Sequence, residues 1–341
     1  MICAKNEISL GIKSLRGEIP FMTNKERYRQ RCQRETNICV YDQPWWMDAV
    51  CGEENWDVLL YEKKGNILGA LPYYVKEKWG LRYITQPPFT QHNGVWIKYP
   101  DGQAESKRLS LEREVITALL KQVEELPLCF YQQNQSPALT NWLPFYWEGY
   151  SQTTRYTYRL NDIHAPEELF AAFQHNKRKN INKARKENFK IGFDLPAEDF
   201  YKLHKESLAK QGQEISYSLE LFQRIYDAAY ENNAGRTIYL TRENGELLCA
   251  LFNLWDNQWG YDLISAIDPS TRNTGAPDLL VYAMLEYLSD KVQGYDFEGS
   301  MIEGVEESFR HFGASQTPYF AIRKTYTKNP LLRYAIAQKI Q

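Results

Sequence analysis

Apolar and polar positions alternate or repeat along the chain in patterns that predict a mixed α/β protein. In the first half, residues 56–85 alternate as strands around a turn at 64–66. Residues 110–126 repeat apolar side chains at the 3.6-residue spacing of a helix, and a shorter helix is predicted at 42–50, with Pro44 in its first turn. The stretch QPPFTQHNG, residues 86–94, favours a connecting loop over a loop that contacts substrate.

The second half repeats the same kinds of element in a clearer order. It contains a strand at 153–160, a basic helix, helices at 197–210 and 218–231, three strand-like runs (RTIYLTREN, ELLCALFNLWD and QWGYDLISAID), a helix from Ala276 to Leu288 and a last strand, YDFEG. A chain of 341 residues exceeds the roughly 250 to 300 residues at which one core stops growing. We therefore predict an extension at 1–22, one domain at 23–152 and a second at 153–341.

The composition excludes several classes of protein. With 41 basic and 43 acidic residues the net charge is −2, so a generally basic coat for nucleic acid is excluded and DNA is not an expected partner. The absence of a run of about 18 apolar residues, and the charges that interrupt the N-terminal stretch, predict a soluble cytoplasmic protein. The six cysteines show no CxxC spacing and the histidines no ligand spacing, so we expect reduced thiols and no metal site.

The densest charge lies in HNKRKNINKARKEN, residues 175–188, which is predicted to be helical. Phe170, Phe173, Ile181 and Ala184 fall on one side of that helix and form an apolar stripe, which Lys177 interrupts. One interpretation is a solvated lysine-rich face. The other is that Lys177, Arg178 and Arg185 bind the phosphate or carboxylate of a ligand.

Several segments resemble one known family. DFEGSMIEGVEESFRHFGA at 296–314, followed by TPYF, resembles the C-terminal signature of the Fem-type branch of the GNAT acyltransferases, a branch that holds the peptidoglycan aminoacyltransferases. The basic helix, DPSTRNTGAPDLL and QPWWMDAV resemble the same group, so the likeness reaches both halves. It implies an α/β (α+β) fold of two tandem GNAT-like domains. Each would be a mixed, mainly antiparallel sheet flanked by helices, with a groove between the domains.

Two departures limit what the resemblance implies. The tRNA-dependent members share a long antiparallel helical arm, whereas no stretch here sustains heptads of that length, so recognition of an aminoacyl-tRNA by such an arm is not expected. The family also often carries a lysine directly after an aromatic residue, two places before a Phe-Gly pair. In FRHFG, residues 309–313, Arg310 in place of a lysine is the nearest equivalent.

Acyl transfer to an amine needs a proton acceptor and stabilisation of developing charge. Asp296 and Glu298, two apart, are predicted to share one face of a strand and to bind or deprotonate an amine; pairing with Arg310 or capping of Ser300 is the alternative. Arg310 is predicted to stabilise the leaving group or to bind the acceptor's carboxylate, and Tyr261 to contact substrate. His311 is more typical of a packed residue than of a catalytic one.

The donor is predicted to lie at RNTGAP. GNAT enzymes that use acyl-CoA resemble one another in a Q/RxxGxG/A loop that holds a pyrophosphate at a helix N-terminus, and this chain offers Arg272, Gly275 and Ala276. Pro277 removes one donor, so an ordinary turn before a helix is the equal alternative. No permanently bound cofactor is expected, with acyl-CoA as a co-substrate or an aminoacyl-tRNA as the donor.

The leading hypothesis is a Fem-like GNAT acyltransferase that moves an acyl or aminoacyl group from a thioester or ester onto an amine without a covalent enzyme intermediate. The acceptor would be a cell-wall precursor peptide, an amino-lipid or a small amine. The alternative is a binding protein that kept this fold, lost the chemistry and uses residues 175–190 to bind an anionic polymer or a membrane surface.

Overall fold

The computed structural model of the protein describes residues 22–299 and 303–333. The helices are α1 (Asn24–Cys32), α2 (Pro44–Cys51), α3 (Glu105–Glu124), α4 (Leu143–Trp147), α5 (Pro166–Ala172), α6 (His175–Ala184), α7 (Ala197–Ala209), α8 (Leu219–Glu231), α9 (Ala276–Leu288) and α10 (Glu303–His311), with 3-10 turns at Val40–Asp42, Glu53–Asn55 and Pro269–Thr271. The strands are β1 (Trp56–Lys63), β2 (Asn66–Lys78), β3 (Leu81–Thr85), β4 (Trp96–Ile97), β5 (Phe130–Asn134), β6 (Ser151–Leu160), β7 (Lys190–Phe193), β8 (Gly235–Thr241), β9 (Leu247–Trp255), β10 (Trp259–Ile267), β11 (Gly294–Asp296) and β12 (Ser315–Thr325). The predicted extension, residues 1–22, lies outside this description except for Met22.

The first hairpin shows how local sequence sets the register. β1 and β2 pair antiparallel up to Lys63 opposite Asn66, with Lys64 and Gly65 between them. Both turn residues have positive φ, 52° and 77°, as a two-residue hairpin turn requires. The predicted turn is therefore confirmed.

The described strands form one continuous mixed sheet, in the order β1-β2-β3-β5-β12-β6-β11-β10-β9-β8-β7, with β4 paired to β2. β12 comes from the end of the chain but lies in the middle of the sheet. It pairs with β5 through Ala321–Thr325 and with β6 through Ser315–Arg323. The fold class is the mixed α/β class that the sequence predicts, while a division into domains at residue 153 stays a prediction.

The two faces of the sheet are covered differently. On one face, α1, α2, α7 and α8 share a single core, in which Trp46 of α2 and Phe222 of α8 are fully buried. Arg224 of α8 also donates from Nε to the carbonyl of Ala49 in α2, over 3.3 Å. On the other face, α3 and α4 cover one end of the sheet and α6 and α9 cover the other, around two separate cores. The first face therefore joins the two halves of the chain.

The basic segment differs from its prediction. A single helix through Phe173 is wrong: α5 ends at Ala172, and Phe173 leaves helical geometry with ψ at 150° before α6 begins at His175. Burial of Phe173, Ile181 and Ala184 explains the apolar stripe, because all three pack in the core beneath α9. The break lets the amide of Gln174 donate to the carbonyl of His311, over 3.0 Å, and so ties this segment to α10.

The start of α9 touches α6 so closely that only glycine fits. Gly275 has φ of 81°, and a Cβ built there would lie 2.1 Å from the backbone oxygen of Asn180. Gly245 has φ of 86° with nothing within 4 Å of the same position. The two glycines thus share a backbone conformation but not a steric constraint.

We expect Gly275→Ala to lower the free energy of unfolding by about 2–5 kcal/mol, the left-handed penalty plus the clash. Gly245→Ala should cost only the backbone penalty of about 1–2 kcal/mol. Urea unfolding of both variants checks this. Equal losses would show that the α6–α9 contact relaxes freely.

Candidate active site

The sheet opens between β10 and β11. These strands pair in parallel only from Trp259 opposite Gly294 to Tyr261 opposite Asp296. β11 then ends, while β10 continues to Ile267. At this point β10 also carries a register shift against β9, between Asp262 and Ile264. A parallel pair that separates in the middle of a sheet leaves backbone groups and space that a ligand can use.

Asp262 stands at this opening on β10. It is buried, and burial raises the pKa of its carboxyl to about 7. The hydroxyl of Ser265, which is exposed, donates to its Oδ1 over 3.3 Å. A carboxyl group with that pKa exchanges its proton near neutral pH, a property that the sequence analysis did not assign to this residue.

Asp296, the last residue of β11, is fully buried and holds an ion pair. Its Oδ2 accepts from Nε of Arg159 over 2.6 Å, and its Oδ1 accepts from the hydroxyl of Thr157 and, over 2.8 Å, from the amide of Glu298. Both oxygens are engaged, so this geometry fixes Arg159 in place. A direct role of Asp296 in deprotonating an amine stays a prediction.

Glu298 lies beyond the end of β11, so the prediction that it shares a strand face with Asp296 is wrong. Its φ is 59°, a left-handed conformation that few residues other than glycine adopt. The reason is the tight course of the chain against β6: a Cβ on the next residue, Gly299, would lie 2.2 Å from the carbonyl oxygen of Tyr156.

The carboxyl group of Glu298 is the most perturbed acid of this region. Its Oε1 is buried without a hydrogen-bond partner among residues 22–299 and 303–333. Burial raises the pKa of this carboxyl well above its usual range. A buried, protonatable carboxyl group at the opening of a sheet is typical of an acid or base that serves a reaction.

Arg310 and His311 lie on α10. Nε of Arg310 pairs with Glu306 over 3.2 Å, and about half of its side chain is exposed. The alternative in which Arg310 pairs with Asp296 or Glu298 is therefore wrong, and capping of Ser300 falls outside the described residues. Nδ1 of His311 lies 2.9 Å from the side-chain Nδ2 of Asn176, and a catalytic or packing role for His311 stays a prediction.

The cations of α6 have separate roles. Lys177 is buried, and its Nζ binds Asp278 over 2.6 Å and the hydroxyl of Ser308 over 2.8 Å. It therefore joins α6 to α9 and α10, and a ligand would have to displace Asp278 to reach it. Arg185 lies over the rings of Phe170 and Tyr282.

Arg178, the third predicted anion-binding residue, is half-buried, and its Nε has no partner among the described residues. Ligand binding by this group of three stays a prediction.

At the predicted donor loop, groups of the chain itself take up the N-terminus of α9. The amide of Ala276 donates to Thr274 Oγ1 over 3.1 Å, Pro277 has no amide hydrogen, and the carboxylate of Asp278 lies in the first turn. Arg272 donates to Gln211 at the surface. A pyrophosphate there would face the negative charge of Asp278, so the geometry favours the ordinary turn, and coenzyme binding by Arg272, Gly275 and Ala276 stays a prediction.

A small cavity lies on the α2 side of the sheet, where β6 and β10 meet the segments before α2 and after β5. Its volume is about 90 Å³, and its lining includes Cys39, His92, Arg159, Asp256 and Tyr261. We call it the junction cavity. Tyr261 donates from its hydroxyl to Asp256 Oδ2 over 2.9 Å, so this predicted substrate residue does line a cavity.

His92 is the least satisfied polar group in the junction cavity. It is 1% exposed, and neither ring nitrogen has a partner among the residues that the structure describes. Burial, followed by the charge of Arg159, lowers the pKa of this imidazole to about 3, so it is neutral at pH 7.

Sequence reasoning missed His92, Arg159 and Asp256. His92 was assigned to a connecting loop, and no short spacing links the three residues. The one available signal was Arg159 itself, a charged residue near the end of a strand rich in apolar and aromatic positions.

Because the unfolded chain protonates His92 near pH 6.5 and the folded chain only near pH 3, stability should fall as pH drops through that window. We expect His92→Phe to remove up to about 1.4 kcal/mol per pH unit of this slope. Urea unfolding at several pH values between 4.5 and 6.5 measures it, with exposed His175→Gln as the control. Parallel wild-type and His92→Phe curves would contradict the buried neutral state.

One segment of the chain matches a family of known protein domains. Residues 175–309 match the family model described as acetyltransferase (GNAT) domain. No curated protein sequence matches the chain. The described residues include no helix with the length and apolar run needed to cross a membrane, and no group of three or more His, Cys, Asp or Glu that could hold a metal ion.

Solved structures share the fold at low identity. FemX is similar with a TM-score of 0.67 and 13% identity, over 87% of this chain and 95% of that chain. A conserved protein of unknown function from Bacteroides thetaiotaomicron is similar with a TM-score of 0.58 and 12% identity, over 88% of this chain and 97% of that chain. L-PGS from Bacillus licheniformis is similar with a TM-score of 0.54 and 9% identity, over 93% of this chain and 97% of that chain. Residues 175–309 are therefore similar to the GNAT acetyltransferase domain, and the chain shares its fold with FemX and L-PGS.

Proposed function

We propose that the protein is an N-acyltransferase that moves an acyl or aminoacyl group from an activated ester or thioester to an amine. The observation that carries this proposal is the buried Oε1 of Glu298, which has no partner among the described residues and lies two positions beyond the end of β11, the strand that separates from β10. The opening lies inside the part of the chain that matches the GNAT domain, which supports the reaction class.

The reaction needs no covalent intermediate on the protein. The amine nitrogen attacks the donor's carbonyl carbon, the new C–N bond forms, and the C–O or C–S bond breaks. One proton leaves the amine, and the released oxygen or sulfur takes up a proton. A bound ester or thioester is already activated, so placing the two reactants side by side supplies on the order of 7 kcal/mol or more of the barrier reduction.

Glu298 is proposed to receive the amine's proton. The raised pKa of this carboxyl group lies closer to the pKa of an amine, so proton transfer from the amine to the carboxylate costs less free energy. Asp262, with a pKa of about 7, is the second group at the opening that can exchange a proton. Asp296 is proposed to act indirectly, because it fixes the backbone of Glu298 and the side chain of Arg159.

Arg310 is proposed to stabilise negative charge on the leaving group or to bind an acceptor carboxylate. Its side chain is about half exposed, and its ion pair with Glu306 is of the surface kind, which a ligand can exchange at little cost. For the donor, both acyl-CoA and aminoacyl-tRNA are proposed. The acceptor is proposed to be a precursor peptide, an amino-lipid or a small amine.

One observation favours the alternative function, binding of an anionic polymer or membrane surface. Lys179, Lys186 and Lys190 are exposed and form no ion pair within the described part of the chain. Binding through them would weaken steeply with salt, whereas a reaction in an enclosed site would respond less.

We expect Glu298→Gln to reduce turnover by about 10²–10⁴-fold with little change in KM, since it removes a proton acceptor and keeps the shape of a protonated carboxyl group. The product is followed by mass spectrometry with acyl-CoA and charged tRNA as donors. Exposed Glu303→Gln is the matched control. Wild-type turnover in Glu298→Gln would remove this residue from the mechanism.

For Arg310→Ala we expect transfer to fall by about 10²–10³-fold, the range seen when one charge-stabilising donor is lost. The free energy of unfolding should change by only about 0.3–0.5 kcal/mol, because the lost pair is exposed. Arg242→Ala breaks a similar exposed pair, with Glu246 at 3.1 Å, and should leave transfer intact. An active, stable Arg310→Ala protein would exclude Arg310 from the reaction.

A further inference from the structure

The junction cavity contains one acid whose hydrogen-bonding capacity is already used. Asp256 accepts from the amides of Gln258 and Trp259, both over 2.9 Å, from the Tyr261 hydroxyl over 2.9 Å and from the amide of Val40 over 3.2 Å. Four donors fill its oxygens. Asp256 therefore shapes the cavity without needing a ligand.

Two other groups in the cavity keep hydrogen-bonding capacity. Arg159 uses Nε for Asp296, lies over the ring of Trp259 at 4.3 Å from its centroid, and lines the cavity. His92 lines the same cavity with both ring nitrogens free of partners in the described chain. Both side chains are more than nine-tenths buried, so each carries a desolvation cost that a suitable ligand would recover.

Arg159 is the cation among the residues that line the cavity, and its charge adds to burial in lowering the pKa of the His92 imidazole. A neutral imidazole still offers one N–H donor, and a guanidinium offers donors in a fork that matches a carboxylate. The cationic fork and the N–H therefore present donors to one small planar anion.

Size restricts that anion further. The cavity volume of about 90 Å³ is well below the roughly 300–1,000 Å³ of typical ligand pockets, so the cavity suits a small group such as a carboxylate and not a whole nucleotide. A second groove of about 240 Å³ shares Asn37, Cys39, Ser136, Ala138 and Gln258 with the cavity. The rest of a ligand can therefore extend from the cavity along this groove.

We propose that the junction cavity is a carboxylate subsite, in which Arg159 and His92 bind the carboxylate of an amino acid or of a peptide C-terminus. The proposal rests on the proposed function, because it makes that molecule the amine acceptor. Asp296 is then a positioning residue, which holds Nε of Arg159 so that its other nitrogens are available to the ligand.

Isothermal titration calorimetry without any acyl donor tests the subsite directly. The probes are alanine and alanyl-alanine, each compared with its C-terminal amide. We expect a Kd on the order of 1 mM or lower for at least one acid, and binding about 10-fold or more weaker for its amide. Binding of alanine alone would indicate a free amino acid, and binding of the dipeptide a peptide C-terminus. Equal binding of acid and amide, or no binding of either acid, would overturn the proposal.

Variants separate binding from folding. His92→Phe keeps a ring in the cavity and should weaken the acid about 10-fold. Arg159→Met combined with Asp296→Asn removes both charges of the pair, which avoids a lone buried charge, and should remove the preference for acid over amide. Asp296→Asn alone keeps the guanidinium but loses the carboxylate that holds its Nε, so it should weaken acid binding while keeping the preference for acid over amide. Wild-type affinity in Asp296→Asn, with the fold intact, would contradict the positioning role of Asp296.

The two proposals fail in different ways. If acids bind selectively but no donor gives product, the proposed carboxylate subsite is supported and the proposed transfer function is contradicted. If transfer depends on Glu298 but acids bind no better than amides, the transfer function stands and the subsite falls.

Discussion

The buried ion pair between Arg159 and Asp296 is the contact on which the centre of this molecule depends. It joins β6 to β11 at the point where the sheet opens, with side chains that are at most 8% exposed. Taking two charges out of water is costly, and a pair of this kind is retained where its geometry is needed more than its energy. Here the carboxylate also accepts from Thr157 and from the amide of Glu298, so one acid fixes a strand, an arginine and the turn that follows β11.

This contact is effective only because the two halves of the chain cannot separate easily. β12 supplies backbone hydrogen bonds to β5 on one side and to β6 on the other, so the last strand of the chain holds the first half against the second. On one face, α2 and α8 bury aromatic residues in a common core. The junction cavity lies between these supports, and its walls therefore come from segments more than 200 residues apart, such as Cys39 and Tyr261.

Sequence patterns predicted the local features and missed the ones made by long-range contact. The turn at Lys64–Gly65 and the helix from Ala276 to Leu288 follow from neighbouring residues alone, and both are confirmed. Lys177 looked like a ligand-binding cation because its partner, Asp278, lies 101 positions away. His92 looked like part of a connecting loop because nothing near it in sequence shows that it is buried. The prediction that Asp296 and Glu298 share a strand face was wrong for a related reason. β11 ends at Asp296, and the chain beyond it runs close to Tyr156.

The perturbed groups of the centre share one physical cause. Burial lowers the pKa of His92 to about 3 and raises the pKa of Glu298 above its usual range, so in both side chains it favours the uncharged form. Uncharged groups are cheaper to keep out of water than ions. If the junction cavity binds a carboxylate as proposed, the anion recovers part of the cost of burying Arg159. Burial, which is a cost in the free protein, would then favour a ligand that carries this charge.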